Sequence, residues 1–272
     1  MSNASPPDRA AGYPPIVLLT DFGLRDPYVG EVKGRLYALV PGVPVIDLCH
    51  DLPPFAIRTG SWLIGRCLPH MPRRALWLGI VDPGIGSCRR VLGLSRGETL
   101  FIGPDNGLFS SLFCQEGIRV YALDALPVSG ASRTFRGRDH FPLLASRLLH
   151  GTPLEELGSP VSDMVRLADA GWRVIDGGWE TEIMLIDHFG NLITALPGEH
   201  LGGETLRCQV GNGSCRGLVD TFSSLPPGEA GCLIGSFDTL EIVVNQGSAA
   251  DRFGARPGDT LRVTLETNPE VP

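Results

Sequence analysis

The sequence predicts an α/β fold in two parts: an amino-terminal Rossmann-like domain with a mostly parallel sheet, then a small carboxy-terminal antiparallel β-barrel-like domain. Three observations carry that reading. Apolar β-rich runs alternate with helical periodicity through the first half. Helix-length periodicity disappears after about residue 172. Apolar residues make up 43% of the 272-residue chain, enough for two real cores. The expected divisions are a flexible tail over 1–15, the α/β domain over 16–172 and the barrel over 173–272.

Ile16 to Thr20 reads as the first strand. Val29, Val32, Leu36 and Val40 then recur at three- and four-residue steps, which predicts an amphipathic helix over 27–40, closed by Pro41-Gly42. Val43 to Leu48 is the second strand and 55–68 a second helix. Ala75 to Val81 has the near-continuous hydrophobicity of a buried central strand. In the barrel the strands are expected at 182–187, 192–195, 204–210, 215–219, 230–234, 239–244 and 259–266, with Leu225-Pro226-Pro227-Gly228 as a turn.

Composition narrows the partners. The formal net charge is −7, and no Lys/Arg run exceeds a pair, so the electrostatic footprint of a nucleic-acid binder is missing. No stretch approaches the roughly 20 apolar residues of a membrane span, and MSNASPPDRAAGYPP lacks the regions of a secretory signal. A cytoplasmic protein with a small-molecule partner is expected. The seven cysteines are irregularly spaced with no C-x-x-C, so neither a structural zinc site nor a disulfide scaffold is expected.

Ligands of parallel α/β sheets gather beyond the carboxyl ends of strands. Three such places are polar: Thr20-Asp21-Phe22-Gly23, Asp47 to Asp51, and the run from Asp82 to Arg90. No phosphate-loop or dinucleotide motif accompanies Gly84 and Gly86, Asp21-Phe22-Gly23 lacks the rest of a kinase, and no G-x-S-x-G elbow occurs. Asp47, His50 and Asp51 are of metal-binding types but lack a paired histidine element, so metal remains a minority reading.

TDFG at 20–23, VDPGIGSCRR at 81–90, IGPDNGL at 102–108, TFRGRDHF at 134–141, DHFGNL at 187–192 and GSFDTLEIVVNQGSAA at 235–250 together resemble the S-adenosylmethionine hydroxide adenosyltransferase family, hydrolytic relatives of the S-adenosylmethionine-dependent fluorinase and chlorinase. The resemblance covers nearly the whole chain from residue 16. It implies a homotrimer with active sites between the first domain of one subunit and the second of its neighbour. It also implies S-adenosylmethionine as substrate, no cofactor and no metal. Asp21 resembles the acid on the ribose diol, suited to it because a carboxylate can accept both hydroxyl protons. Phe55 would wall the sugar or adenine, Asp187 would pair with the methionine ammonium, and Ser236 would bind its carboxylate. Phe189 and Asn191 resemble adenine-side contacts, and Asn245, Gln246 and Gly247 resemble the run whose backbone reads the adenine edge.

The implied reaction is attack of water at the ribose 5′ carbon, giving adenosine and methionine. Halogenating relatives carry an aromatic residue where this chain has Asp82, together with a small pocket for halide where it has Ile85. A carboxylate there repels halide, whereas it can accept a proton from water, with Arg89 fixing it. One position departs from the family pattern TFHGRD: the histidine is replaced by Arg136, which cannot act as a base. His140, four residues later, is a candidate substitute. The alternatives are a non-catalytic S-adenosylmethionine- or adenosine-binding protein, and a halide-using enzyme.

Overall fold

The computed structural model describes residues 12–84, 89–127, 130, 132, 135–168, 171–201 and 205–266. Residues 1–11 of the expected tail, Ile85 to Cys88 after the central strand, and Thr134 lie outside the described residues. Two units divide the chain, one ending at Leu167 and the other beginning at Ala168. No helix among the described residues is long and apolar enough to cross a membrane.

The first unit runs β1 (Ile16–Thr20), α1 (Tyr28–Leu39), β2 (Val45–Cys49), α2 (Ile57–Cys67), β3 (Leu76–Ile80), β4 (Val91–Arg96), β5 (Thr99–Pro104), β6 (Ile118–Leu123), α3 (Arg136–Asp139), α4 (Phe141–Leu149), α5 (Leu154–Leu157) and β7 (Gly158–Pro160). Its sheet has the order β2-β1-β3-β5-β4-β6-β7. The first four strands of that order are parallel. β4 is antiparallel to both β5 and β6, and β7 to β6, so five of the seven strands run one way. The reversal has a local cause. Only Gly97 and Glu98 join β4 to β5, with Gly97 at φ +57°, and a two-residue connection permits only an antiparallel hairpin.

Alternation along the strands gives the sheet two apolar faces. Ile16, Leu18, Leu76, Leu78, Ile80 and Ile102 pack with α1 and α4 through Val32, Leu36, Phe141 and Leu144. Trp77 and Phe101 point the other way, Trp77 packing on Phe101 and Phe101 meeting Phe109 edge to face, on the side where α2 lies against Leu108 through Gly60. Asp82 continues the alternation of Leu78 and Ile80, so it belongs to the α1/α4 face.

The second unit comprises β8 (Trp172–Ile175), β9 (Gly178–Ile186), β10 (Leu192–Pro197), β11 (Thr205–Val210), β12 (Gly213–Arg216), β13 (Ala230–Ile234), β14 (Thr239–Val244), α6 (Ala249–Phe253) and β15 (Thr260–Glu266). The order is β12-β11-β15-β9-β10-β14-β13, with β8 beside β9, and every pairing is antiparallel. Just past β12 the chain pairs with β13: Cys232 N–H donates to Gly217 O at 3.2 Å and Val219 N–H to Cys232 O at 2.8 Å. These bonds nearly close the sheet into a barrel around Ile183, Leu192, Leu206, Ile242 and Val263. Closure satisfies edges that would otherwise be exposed.

Candidate active site

The parallel strands β2, β1, β3 and β5 bring Asp21, His50, Asp82 and Asp105-Asn106 to one edge of the first sheet. Thr20 and His50 are buried there. His50 Nδ1 lies 2.9 Å from Thr20 Oγ1 and Nε2 lies 3.1 Å from Asp47 Oδ1, while Lys33 Nζ donates to Asp47 Oδ2 at 2.8 Å. Burial raises the Asp47 pKa, but the bonds from Lys33 and His50 outweigh it and hold the carboxyl below its ordinary value. With both nitrogens of His50 engaged, the metal reading of Asp47, His50 and Asp51 gains no support. The cluster instead fixes the β1 and β2 ends.

Asp21 Oδ2 accepts the Phe55 N–H at 2.9 Å. Phe55 sits at φ +68° and is 67% exposed. A left-handed aromatic residue costs about 1–2 kcal/mol, and the Asp21 bond helps hold it. One oxygen of Asp21 is therefore already engaged, while Oδ1 accepts no hydrogen bond among the described residues.

Asp82 follows β3 with its side chain only 7% exposed. Its Oδ1 accepts the Gly84 N–H at 3.1 Å and a short ion-paired bond from Arg89 Nη1. The guanidinium of Arg89 lies flat on Gly84, where an added Cβ would come within 2.6 Å of Arg89 Cζ. Only glycine allows that approach. Asn106 secures the strand end below: its Nδ2 donates to Val81 O at 2.8 Å and its Oδ1 accepts Leu108 N–H at 3.1 Å. Arg90 pairs with buried Asp105 and with Asp163.

α3 reaches this edge because Gly137 has no side chain. A Cβ there would meet Ile80 Cγ2 at 3.0 Å, so the helix lies directly on the end of β3. Asp139 anchors the turn by accepting Ser132 N–H at 2.7 Å and a two-point contact from Arg138, which also pairs with Glu31 on α1. As a result Arg89, Arg90, Arg136 and His140 line one cavity of about 190 Å³ with Asp124, Leu123 and Leu144. Burial first, and then the charge of Arg136, hold the His140 imidazole below its usual value.

In the second unit, Asp187 ends β9 and caps the turn that follows. Its Oδ1 accepts Phe189 N–H at 3.0 Å and Asn191 N–H at 2.8 Å, and its Oδ2 accepts Asn191 Nδ2 at 2.8 Å. Gly190, at φ +84°, packs against Ser248, where a Cβ would meet the Ser248 Cβ at 2.6 Å. The turn presents Phe189, 74% exposed, over a cavity of about 530 Å³ shared with Asn191, Phe222, Val244, Asn245, Gln246 and Gly247. The expected adenine-side residues thus meet in one place, whereas Asp187 and Ser236 do not line this cavity.

Asn245 differs from expectation. Its N–H donates to Glu229 O, its carbonyl accepts Gly228 N–H, and its Nδ2 donates to Leu225 O at 2.6 Å. These bonds make it a brace for the 225–229 loop. The neighbouring Gln246 is at φ +56°, and among the described residues no backbone hydrogen bond engages its N–H or C=O. Two further residues escaped sequence reasoning. Phe222, 44% exposed, lines the cavity from a short 3₁₀ turn outside every quoted block. Glu241 is 6% exposed on β14, and burial, with the charge of Asp187, raises its carboxyl to about 7.

A model of the SAM hydroxide adenosyltransferase N-terminal domain matches residues 16–158, and one of the C-terminal domain matches 181–262. The chain belongs to the SAM hydroxide adenosyltransferase family. It is 38% identical to the (R)-S-adenosyl-L-methionine hydrolase of Thermus thermophilus, over 92% of this chain and 99% of that protein. It is also 38% identical to the (R)-S-adenosyl-L-methionine hydrolase of Salinispora tropica, over 92% and 98%. Fluorinases are more distant family relatives. Among solved structures, an uncharacterized conserved protein from Thermotoga maritima superposes with a TM-score of 0.84 at 27% identity, covering 92% of this chain and 99% of that one.

Proposed function

We propose that this chain hydrolyses S-adenosylmethionine to adenosine and methionine; the relatives that it matches bear the name (R)-S-adenosyl-L-methionine hydrolase. The observation that carries the reading is the buried Asp82, clamped by Gly84 and Arg89, beside a cavity shared by Arg89, Arg136 and His140. Asp82 Oδ2 accepts no protein hydrogen bond among the described residues, so it is the oxygen that accepts a water proton and aims a water lone pair at the ribose 5′ carbon. A histidine with lowered pKa is neutral near pH 7 and can accept a proton. His140 thereby supplies the base that Arg136 cannot be, while Arg89 stabilises developing hydroxide. Methionine leaves readily because its sulfonium becomes neutral as the bond breaks.

On this reading Asp21 takes a ribose hydroxyl through Oδ1, and Phe55 walls the sugar. Phe189, Phe222 and Asn191 enclose the adenine, Gln246 reads its edge through the backbone, Asp187 pairs with the ammonium, and Ser236 binds the carboxylate. The enzyme works in the cytoplasm as a homotrimer, each site formed by the Rossmann-like domain of one subunit and the barrel of the next. It needs neither cofactor nor metal. The test is chromatography of products after incubation with S-adenosylmethionine in chelator. Adenosine and methionine in equal amounts support the proposal. Bound, unconverted ligand would instead show a binding protein silenced by Arg136, and a chloride-dependent halogenated nucleoside would show halide use.

A further inference from the structure

Three cysteines of the barrel belong to none of the substrate contacts above. Cys208 on β11, Cys215 on β12 and Cys232 on β13 are 0%, 5% and 0% exposed. Their spacing carries no ligand motif, and strand pairing brings them together instead. Cys208 is directly opposite Cys215 in the β11–β12 register, and Cys232 bridges to Leu218, just past β12. Cys232 Sγ lies 3.3 Å from Cys208 Sγ and 3.4 Å from Cys215 Sγ, and all three sulfurs lie within 4.8 Å of one another.

A single buried cysteine is ordinary, because a thiol packs as a small hydrophobe. Here three sulfurs from three strands converge on one point. An ion held at about 2.3 Å from each of three sulfurs spaces them about 4 Å apart, which these strands reach by small side-chain rotations. We propose that Cys208, Cys215 and Cys232 form a three-coordinate thiolate site for one soft d¹⁰ ion, with monovalent copper the best match. Thiolates select such ions, whereas zinc prefers four ligands and the group comprises three among the described residues. On binding, each coordinating thiol releases its proton to solvent and forms one sulfur–metal bond, with no change of oxidation state. Cys215 has the greatest exposure of the three and lies on the short strand β12, which makes it the point of entry.

The test titrates the whole protein anaerobically with Cu(I), supplied as its acetonitrile complex, against bathocuproine disulfonate. The expected result is one equivalent withheld from the chelator. Alkylation of the loaded protein in denaturant, followed by peptide mapping, then finds Cys208, Cys215 and Cys232 protected. Cys215→Ala should lose the withheld equivalent while still forming adenosine. The mapping is read on the unsubstituted protein, so it decides the matter even where the variant folds poorly. No retained copper overturns the site. So does protection confined to Cys49 and Cys67, neighbours in the first unit, or full retention by a folded Cys215→Ala.

Discussion

Asp82→Asn separates chemistry from binding. The amide oxygen can still accept from Gly84 N–H and Arg89, so the local geometry survives, but the charge that pairs with Arg89 is lost. Hydrogen bonds to charged groups contribute about 1.5–3 kcal/mol against about 0.5–1.5 for neutral ones, so folding stability should fall by about 1–2 kcal/mol. Partial exposure of Arg89, 26% for its side chain, keeps the loss at this lower level because its freed charge stays hydrated. The effect on turnover is larger. Positioned proton transfer contributes about 10²–10⁴-fold, so kcat should fall by that factor, about 3–5 kcal/mol of activation energy. Asp21 and the barrel residues proposed to grip the substrate are untouched, and the S-adenosylmethionine dissociation constant measured by calorimetry should change by less than about half a kcal/mol, a factor of two. The assay is adenosine formation at saturating substrate, paired with that titration. An unchanged kcat, or a loss appearing only in affinity, would refute the assignment of Asp82 to the attacking water.

The other expectations concern residues around that pair. If neutral His140 is the base, turnover should fall as pH drops below 6.5, because burial and Arg136 lower its pKa and protonation then removes the acceptor; His140→Gln should abolish this acid limb, and a limb that survives the substitution would exclude the role. Arg136→His restores a second imidazole and relieves His140, so turnover should rise by up to about 10²-fold, and a fall would show that the guanidinium itself is needed. Asn106→Ala leaves Val81 O and Leu108 N–H unpaired in a buried place, which should cost about 2–5 kcal/mol in urea unfolding and lower kcat by loosening the β3 end. Glu241 has a folded-state pKa of about 7, above its ordinary 4.5, so the folded protein binds the extra proton and loses stability as pH rises through that window. After allowance for solvent screening the decline is about 1–2 kcal/mol, and Glu241→Gln should flatten it between pH 5 and pH 8.

Much of the fold was legible because its elements follow simple periods. The three- and four-residue recurrence from Val29 to Val40 became α1, and Ala230–Ile234 and Thr239–Val244 appear as strands at the expected bounds. The antiparallel part of the first sheet was not foreseen, since β4 is set by a two-residue hairpin with β5 and not by the βαβ pattern. β8 also escaped notice. Val174 is 72% exposed, so the strand shows no apolar alternation, and its signal is the Asp176-Gly177 turn that pairs Ile175 with Gly178. At the site, acids at strand ends were visible from sequence. Asn106 was not, because holding a carbonyl of the neighbouring strand leaves no mark on spacing. Asn245 and Gln246 were read together, and only the hydrogen bonds to residues 225–229 separate brace from presenter. The cysteine cluster was invisible for a similar reason: strand register brings the sulfurs together, and no short motif records it.

On the proposed mechanism, water positioned by Asp82 displaces methionine at the ribose 5′ carbon. Incubation with S-adenosylmethionine in heavy-oxygen water, followed by mass spectrometry of the nucleoside, tests it most directly. One heavy oxygen is expected in the 5′ hydroxyl of adenosine and none in methionine. Adenosine without label, or a 5′-halogenated nucleoside formed in its place, would contradict it.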